Sequence, residues 1–196
     1  MTNQKLSEKL RREVIQQSSS KSFIHRKWFV KYHLEIVEAI AAELCSIYNR
    51  ADKFRVLVLV WLHDYEKIVE PSHEHNTELL ATCGFMKRLG FDESLISKVR
   101  ADINTINSKR NLKTASIEVQ IVSSADAASH FVGPFGALYW YENSIIPMKD
   151  IQAERYRKIS TDWEKKVTIP ELKKAFMNRY FFTKEATGDL PKKYLS

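Results

Sequence analysis

Apolar residues recur at helical spacing along most of the chain. In 28–48, Ile36, Ile40, Leu44 and Ile47 follow at steps of four, four and three, which is one helix face. His33, three residues before Ile36, is expected to share that buried face. Residues 5–17 read as a polar helix, with Ser18-Ser19-Ser20 as a break. The run 54–63, FRVLVLVWLH, suits a strand by propensity, because Val56, Val58 and Val60 alternate with other apolar residues. It equally suits a helix buried on all sides. The neighbouring segments read helical and leave no strand partner, so a helix is expected. Residues 75–89 put His75, Leu79, Thr82 and Met86 on one face and stop at Gly90. Further helices are expected over 91–106 and over 115–131, where Ile121, Ala125, Ala128 and Val132 share a face before the Gly133-Pro134 break. Two more follow at 149–166 and 170–182, the second entered through Pro170. The tail from Thr187 is expected to be loose. With no internal repeat and no linker, the pattern predicts one all-α domain over 1–196.

Composition narrows the class. Only 5 Gly and 5 Pro in 196 residues argue against a turn-rich β sandwich. The 2 cysteines, Cys45 and Cys83, form no CxxC and sit among apolar residues. That argues against a disulfide framework or a thiolate zinc site, and a cytoplasmic setting is expected. No segment approaches the length of a membrane span, and the polar N-terminus has no signal-like apolar core. The net charge of +7 is uneven: +6 over 1–31, −4 over 32–148 and +5 over 149–196. Basic ends are compatible with nucleic acid, but no binding motif accompanies them, so a solvated basic surface is the favoured reading. By the same reasoning, removing residues 1–20 is expected to leave metal binding intact.

The candidate chemistry centres on His63-Asp64, which closes a run of seven residues, Val56 to Leu62, without a charged or hydroxylic side chain. An ionised Asp at the end of such a run costs several kcal/mol to desolvate unless something pairs with it, and a divalent cation is one answer. His33 sits on a core face thirty residues earlier. Asp126 interrupts the small-residue stretch Ser123–Ala128. Two imidazoles and two carboxylates form a mixed nitrogen and oxygen set suited to Mn, Fe, Co, Ni, Zn or Mg. No Gly-rich phosphate cradle or nucleophile elbow is present, which sets aside kinases, P-loop enzymes and Ser-His-Asp hydrolases.

The ordered pattern His33 … His63-Asp64 … Asp126 resembles the HD-domain superfamily of metal-dependent phosphohydrolases. The likeness covers residues 25–135 and includes Tyr32-His33-Leu34-Glu35, Trp61-Leu62-His63-Asp64 and Ala125-Asp126-Ala127. It implies a helical bundle of the HD type, with the helices of 149–182 packed on the motif-bearing core. It also implies a divalent metal held by His33, His63, Asp64 and Asp126. Lys67 falls where many members carry a lysine or a catalytic acid, and would balance charge on the phosphate. Glu66 is more readily read as solvated than as a proton donor. His75 falls where some members carry a further site histidine that contacts substrate. The next helix has no histidine in Val99–Ile103, which favours one metal ion over two.

The expected function is therefore divalent-metal-dependent hydrolysis of a nucleotide or another small phosphate ester, mono- or diester. Asp64, Lys67 and Asp126 are the catalytic candidates, with Asp126 or a neighbouring carboxylate orienting the attacking water. The competing expectations are a degenerate HD-domain protein that binds a nucleotide or partner without turnover, and a nucleic-acid-binding module. The loop Lys109–Lys113 could supply cations to a phosphate, although a solvated loop is the plainer reading.

Overall fold

The axis of the molecule is the helix α7, Ile117–Ser129, in which every residue from Ile121 onward is buried. Ser123, Ser124, Ala125, Ala127 and Ala128 make this possible, because small side chains let neighbouring helices approach closely from all sides. The computed structural model describes residues 2–70 and 77–193, and all regular structure among them is helical. None of the described helices is long and apolar enough to cross a membrane.

Helix α2, Glu35–Ile47, and helix α3, Lys53–Leu62, pack on one side of α7. The run 56–62 is thus helical and almost wholly buried; Asp52 starts it by accepting the backbone N–H groups of Phe54 and Arg55, each at 3.1 Å. A short helix α4, Tyr65–Val69, follows directly, then α5, Leu80–Leu89, and α6, Glu93–Ser108. The expected site residue His75 lies outside the described residues. Gly90 ends α5 at φ 92°, a left-handed turn that suits glycine. Arg55 ties α3 to its neighbours through a two-pronged bond to Asp102 on α6, at 2.7 and 2.8 Å, and a 3.3 Å bond to Glu118 on α7.

Two expectations from the sequence need correction. The buried face of α2 is Val37, Ala41, Leu44 and Cys45, in register with His33, whereas Ile47 is 56% exposed and Ile36 and Ile40 are half-buried. Those isoleucines instead border an apolar groove against the last helix. The N-terminal helix α1, Asn3–Ser18, is no detachable polar arm: Leu6, Leu10 and Val14, spaced by four, are buried against α3, α4 and α5. After the Gly133-Pro134 break, Phe135–Glu142 forms a further helix, α8, in a stretch for which the apolar pattern predicted no element.

The C-terminal segments complete the bundle. Helix α9, Met148–Thr161, runs into a wider π-helical turn at Asp162–Lys166, and α10, Pro170–Ala186, closes the chain against α7 and α9. Trp163, Val167, Ile169, Leu172 and Tyr180 belong to the same continuous core as Leu10. The serines of α7 hold this segment: Ser123 and Ser124 donate to the Lys166 carbonyl, and Ser124 accepts the Thr168 N–H at 3.0 Å.

Candidate metal centre

His33 arrives on a π-helical turn, Val30–Leu34, just before α2. Such a turn carries one residue more than an α-helical turn and re-aims the side chains it holds. His63 and Asp64 come from the junction of α3 and α4, and Asp126 from the last turn of α7. The structure gathers these four. His33 Nε2 lies 3.3 Å from His63 Nε2, 3.5 Å from Asp64 Oδ2 and 3.7 Å from Asp126 Oδ1. His63 Nε2 lies 3.5 Å from Asp64 Oδ2 and 3.7 Å from Asp126 Oδ1. Each carboxylate oxygen thus makes a triangle with the two imidazoles whose corners are all about 2.0–2.1 Å from its centre, the range of metal–nitrogen and metal–oxygen bonds. Two overlapping groups could each hold a metal ion: His33, His63 and Asp64, and His33, Asp126 and His130.

The imidazole tautomers sharpen the test of fit. His63 Nδ1 faces the Val60 carbonyl at 2.8 Å, so it carries the hydrogen. Ser129 gives its hydroxyl hydrogen to the Asp126 carbonyl, at 2.7 Å, and so accepts from His33 Nδ1 at 2.9 Å. With both imidazoles neutral, as metal binding requires, the two Nε2 atoms turn lone pairs toward each other at 3.3 Å. Two acceptors this close repel unless a proton or a cation lies between them. A hydrogen bond from the far ring nitrogen, as His33 and His63 each make, is what orients a metal-binding histidine.

The carboxylates stay ionised despite burial. Burial by itself pushes the Asp64 carboxyl up, but the Lys67 ammonium leads the groups that oppose it, and the carboxyl lies well below the usual carboxylate range. For Asp126 the opposition to burial comes first from the Lys166 ammonium. Lys67 Nζ reaches Asp64 Oδ1 at 2.7 Å, and the buried Lys166 ammonium pairs with Asp126 Oδ2. Asp64 stands at the start of α4 without capping it, so its carboxylate is not accounted for as a helix cap.

Several site residues escaped the sequence reading. His130 stacks on His33 with ring centroids 5.4 Å apart, and its Nε2 lies 3.7 Å from Asp126 Oδ1. Its Nδ1 binds Asp162 Oδ2 at 2.9 Å, leaving a third Nε2 lone pair on the site side. Asp162 is fully buried and also takes Lys158 at 3.3 Å. One signal for His130 was available: it stands four residues after Asp126, hence on the same helical side. Glu66 differs from its expected solvated state. It is buried, and it accepts the Thr82 N–H at 2.9 Å, capping the start of α5.

Burial, together with the Lys158 charge, outweighs Asp162 and Asp126 and pushes the His130 imidazolium down from 6.5 to about 3. The unfolded chain therefore takes up this proton first. Stability contributed by neutral His130 is complete above pH 6.5 and is lost as pH falls toward about 3. Melts in chelator should show an acid limb in this window, of several kcal/mol in depth, and His130→Asn should flatten it.

Two cavities open onto the cluster. One, of about 350 Å³, is lined by His33, Asp64, Lys67 and His130 together with aromatic side chains. The other, of about 200 Å³, is lined by Asp64, Asp126, His130 and four lysines, Lys67, Lys109, Lys158 and Lys166. No protein-family model, curated protein or solved structure gives a significant match to the chain.

Proposed function

We propose that the protein is a divalent-metal-dependent phosphohydrolase of the HD-domain type, acting on a small phosphate ester. The observation that carries this reading is the meeting of two imidazole Nε2 atoms, 3.3 Å apart, with two ionised carboxylates beside a lysine-lined cavity. A metal ion there would be held by His33, His63, Asp64 and Asp126, and would supply Lewis-acid charge that polarises phosphoryl oxygens and favours loss of a proton from water.

The chain's own groups supply the rest. Lys67 and Lys158, paired to carboxylates on one side, face the cavity where phosphoryl oxygens would sit and offset their charge. His130, fixed by Asp162, presents Nε2 as a hydrogen-bond acceptor and can orient an attacking water. That role was expected of Asp126, but the Lys166 ammonium occupies one oxygen of Asp126 and the imidazoles crowd the other. Lys166 keeps Asp126 ionised and in place.

The test is metal analysis of the purified protein, followed by assay of p-nitrophenyl phosphate and bis(p-nitrophenyl) phosphate with Mn, Co, Ni, Zn and Mg. Hydrolysis restored by one or more of these metals and abolished by chelator is the expected result. A protein that binds no metal and hydrolyses neither ester with any of them defeats the reading.

A further inference from the structure

The two cavities meet at Asp64, Lys67, His130 and Lys158, which border both. Their far walls differ sharply. The larger cavity is walled by Phe23, Trp28, Phe29, Phe135 and Tyr139, with Glu154 at the same wall. These rings already pack edge-to-face: Trp28 meets Phe135 at 5.2 Å and Phe23 meets Phe29 at 5.0 Å. The smaller cavity presents lysine amines beside the site carboxylates, His130 and Asn107, with Ile106 as its sole apolar wall.

The larger cavity also offers an acceptor, since Glu154 lines it and already takes the Tyr139 hydroxyl at 3.0 Å. In the smaller cavity Lys67, Lys158 and Lys166 are each paired to Asp64, Asp162 and Asp126 respectively. Lys109 differs. It is half-buried, and among the described residues no carboxylate pairs with it. Its backbone takes φ 56° at the end of α6, a left-handed conformation uncommon for lysine, and its side chain turns into the cleft while Arg110 and Lys113 face solvent. A half-buried ammonium without a counter-ion is a built receptor for an anion.

We propose that this cleft is a two-chamber receptor for the phosphate ester of a flat heteroaromatic body, with the ring in the aromatic chamber beside Trp28 and Tyr139 and the phosphate in the lysine chamber against Lys109. The ester linkage then lies at the shared wall, beside Asp64 and His130. Linear and aliphatic phosphate esters would fill the lysine chamber and leave the aromatic chamber unused. The inference rests on the phosphate-ester reading of the same site, which it narrows to a substrate class and to a selectivity residue at each end.

Phosphonates test it without turnover, because their carbon–phosphorus bond resists hydrolysis. Calorimetric titration of the full chain with Mn present should show pyridylmethylphosphonate and benzylphosphonate binding at least about fivefold more tightly than butylphosphonate, the gain expected from aromatic stacking. Lys109→Ala should weaken all three by about tenfold and keep their ranking, as removal of one charge-assisted contact predicts. Tyr139→Leu, with its melting temperature checked, should compress the aromatic preference and leave butylphosphonate affinity unchanged. Equal binding of benzyl- and butylphosphonate overturns the aromatic chamber, and unchanged affinities in Lys109→Ala overturn the phosphate chamber. Ester hydrolysis without ring preference would leave the phosphohydrolase reading standing and sink this one. Ring-selective phosphonate binding with no hydrolysis under any metal would do the reverse.

Discussion

Asp64→Ala is expected to abolish both the metal-dependent rise in melting temperature and the hydrolysis of phosphate esters. The unaltered protein should gain about 2.7 kcal/mol from a ligand present at a hundredfold excess over its dissociation constant, and the variant should gain nothing. Asp64 is the right residue to change because its loss costs the fold little. It caps no helix, and its partner Lys67 is 40% exposed, so the ammonium left behind can turn to water. Asp126 would be a poor choice for the same experiment. Removing it strands the buried Lys166 ammonium, and an uncompensated buried charge costs about 3–5 kcal/mol whether or not metal binds. Thermal melts of both proteins in chelator and in Mn separate ligand loss from structural damage. Equal metal-dependent shifts in the two proteins would remove Asp64 from the site.

Deletion of residues 2–18 should prevent stable folding, and with it the metal binding that removal of residues 1–20 was expected to leave intact. The segment buries Leu6, Leu10 and Val14, and at about 1.5–3 kcal/mol for each buried side chain their loss approaches the whole stability of an ordinary domain. It would also uncover α3 and α4, the helices that carry His63, Asp64 and Lys67. Leu10→Ala gives the graded version. A melt should show a loss of about 2–5 kcal/mol, and metal stoichiometry in the folded protein should stay unchanged, since α1 supports the site without touching it. A deletion variant that melts cooperatively near the full-length temperature would show that α1 is an accessory.

Much of this molecule was legible in one dimension, because helix formation and burial leave a local trace. The spacing of apolar residues marks most of the helices, and small residues around Asp126 mark a helix buried on every side. His63-Asp64 stood out for the same reason: charged and polar groups at the end of a wholly apolar run demand a partner. Even so, periodicity fixed the α2 face wrongly. Two overlapping apolar stripes run along that helix, Ile36–Ile40–Leu44–Ile47 and Val37–Ala41–Leu44–Cys45, and only packing against α7 chose the second. The choice carries His33 inward.

What tertiary structure alone decided is the outer part of the site. Lys158, Asp162 and Lys166 lie far along the chain from His33 and look like ordinary residues of a charged amphipathic helix. They become site residues because the serines of α7 clamp the 166–168 backbone and because a π-helical turn presents Asp162 and Lys166 inward together. The same wider turn places His33 at the other end of the molecule's sequence. Neither turn has a sequence signature, since the extra residue is accommodated by packing and not by local propensity. Lys109 was visible as part of a basic loop, but only its backbone turn distinguishes the one lysine that enters the cleft from neighbours that face solvent. The sequence by itself determined which groups must find partners. The fold determined which partners they find, because that depends on distances between segments that no local pattern encodes.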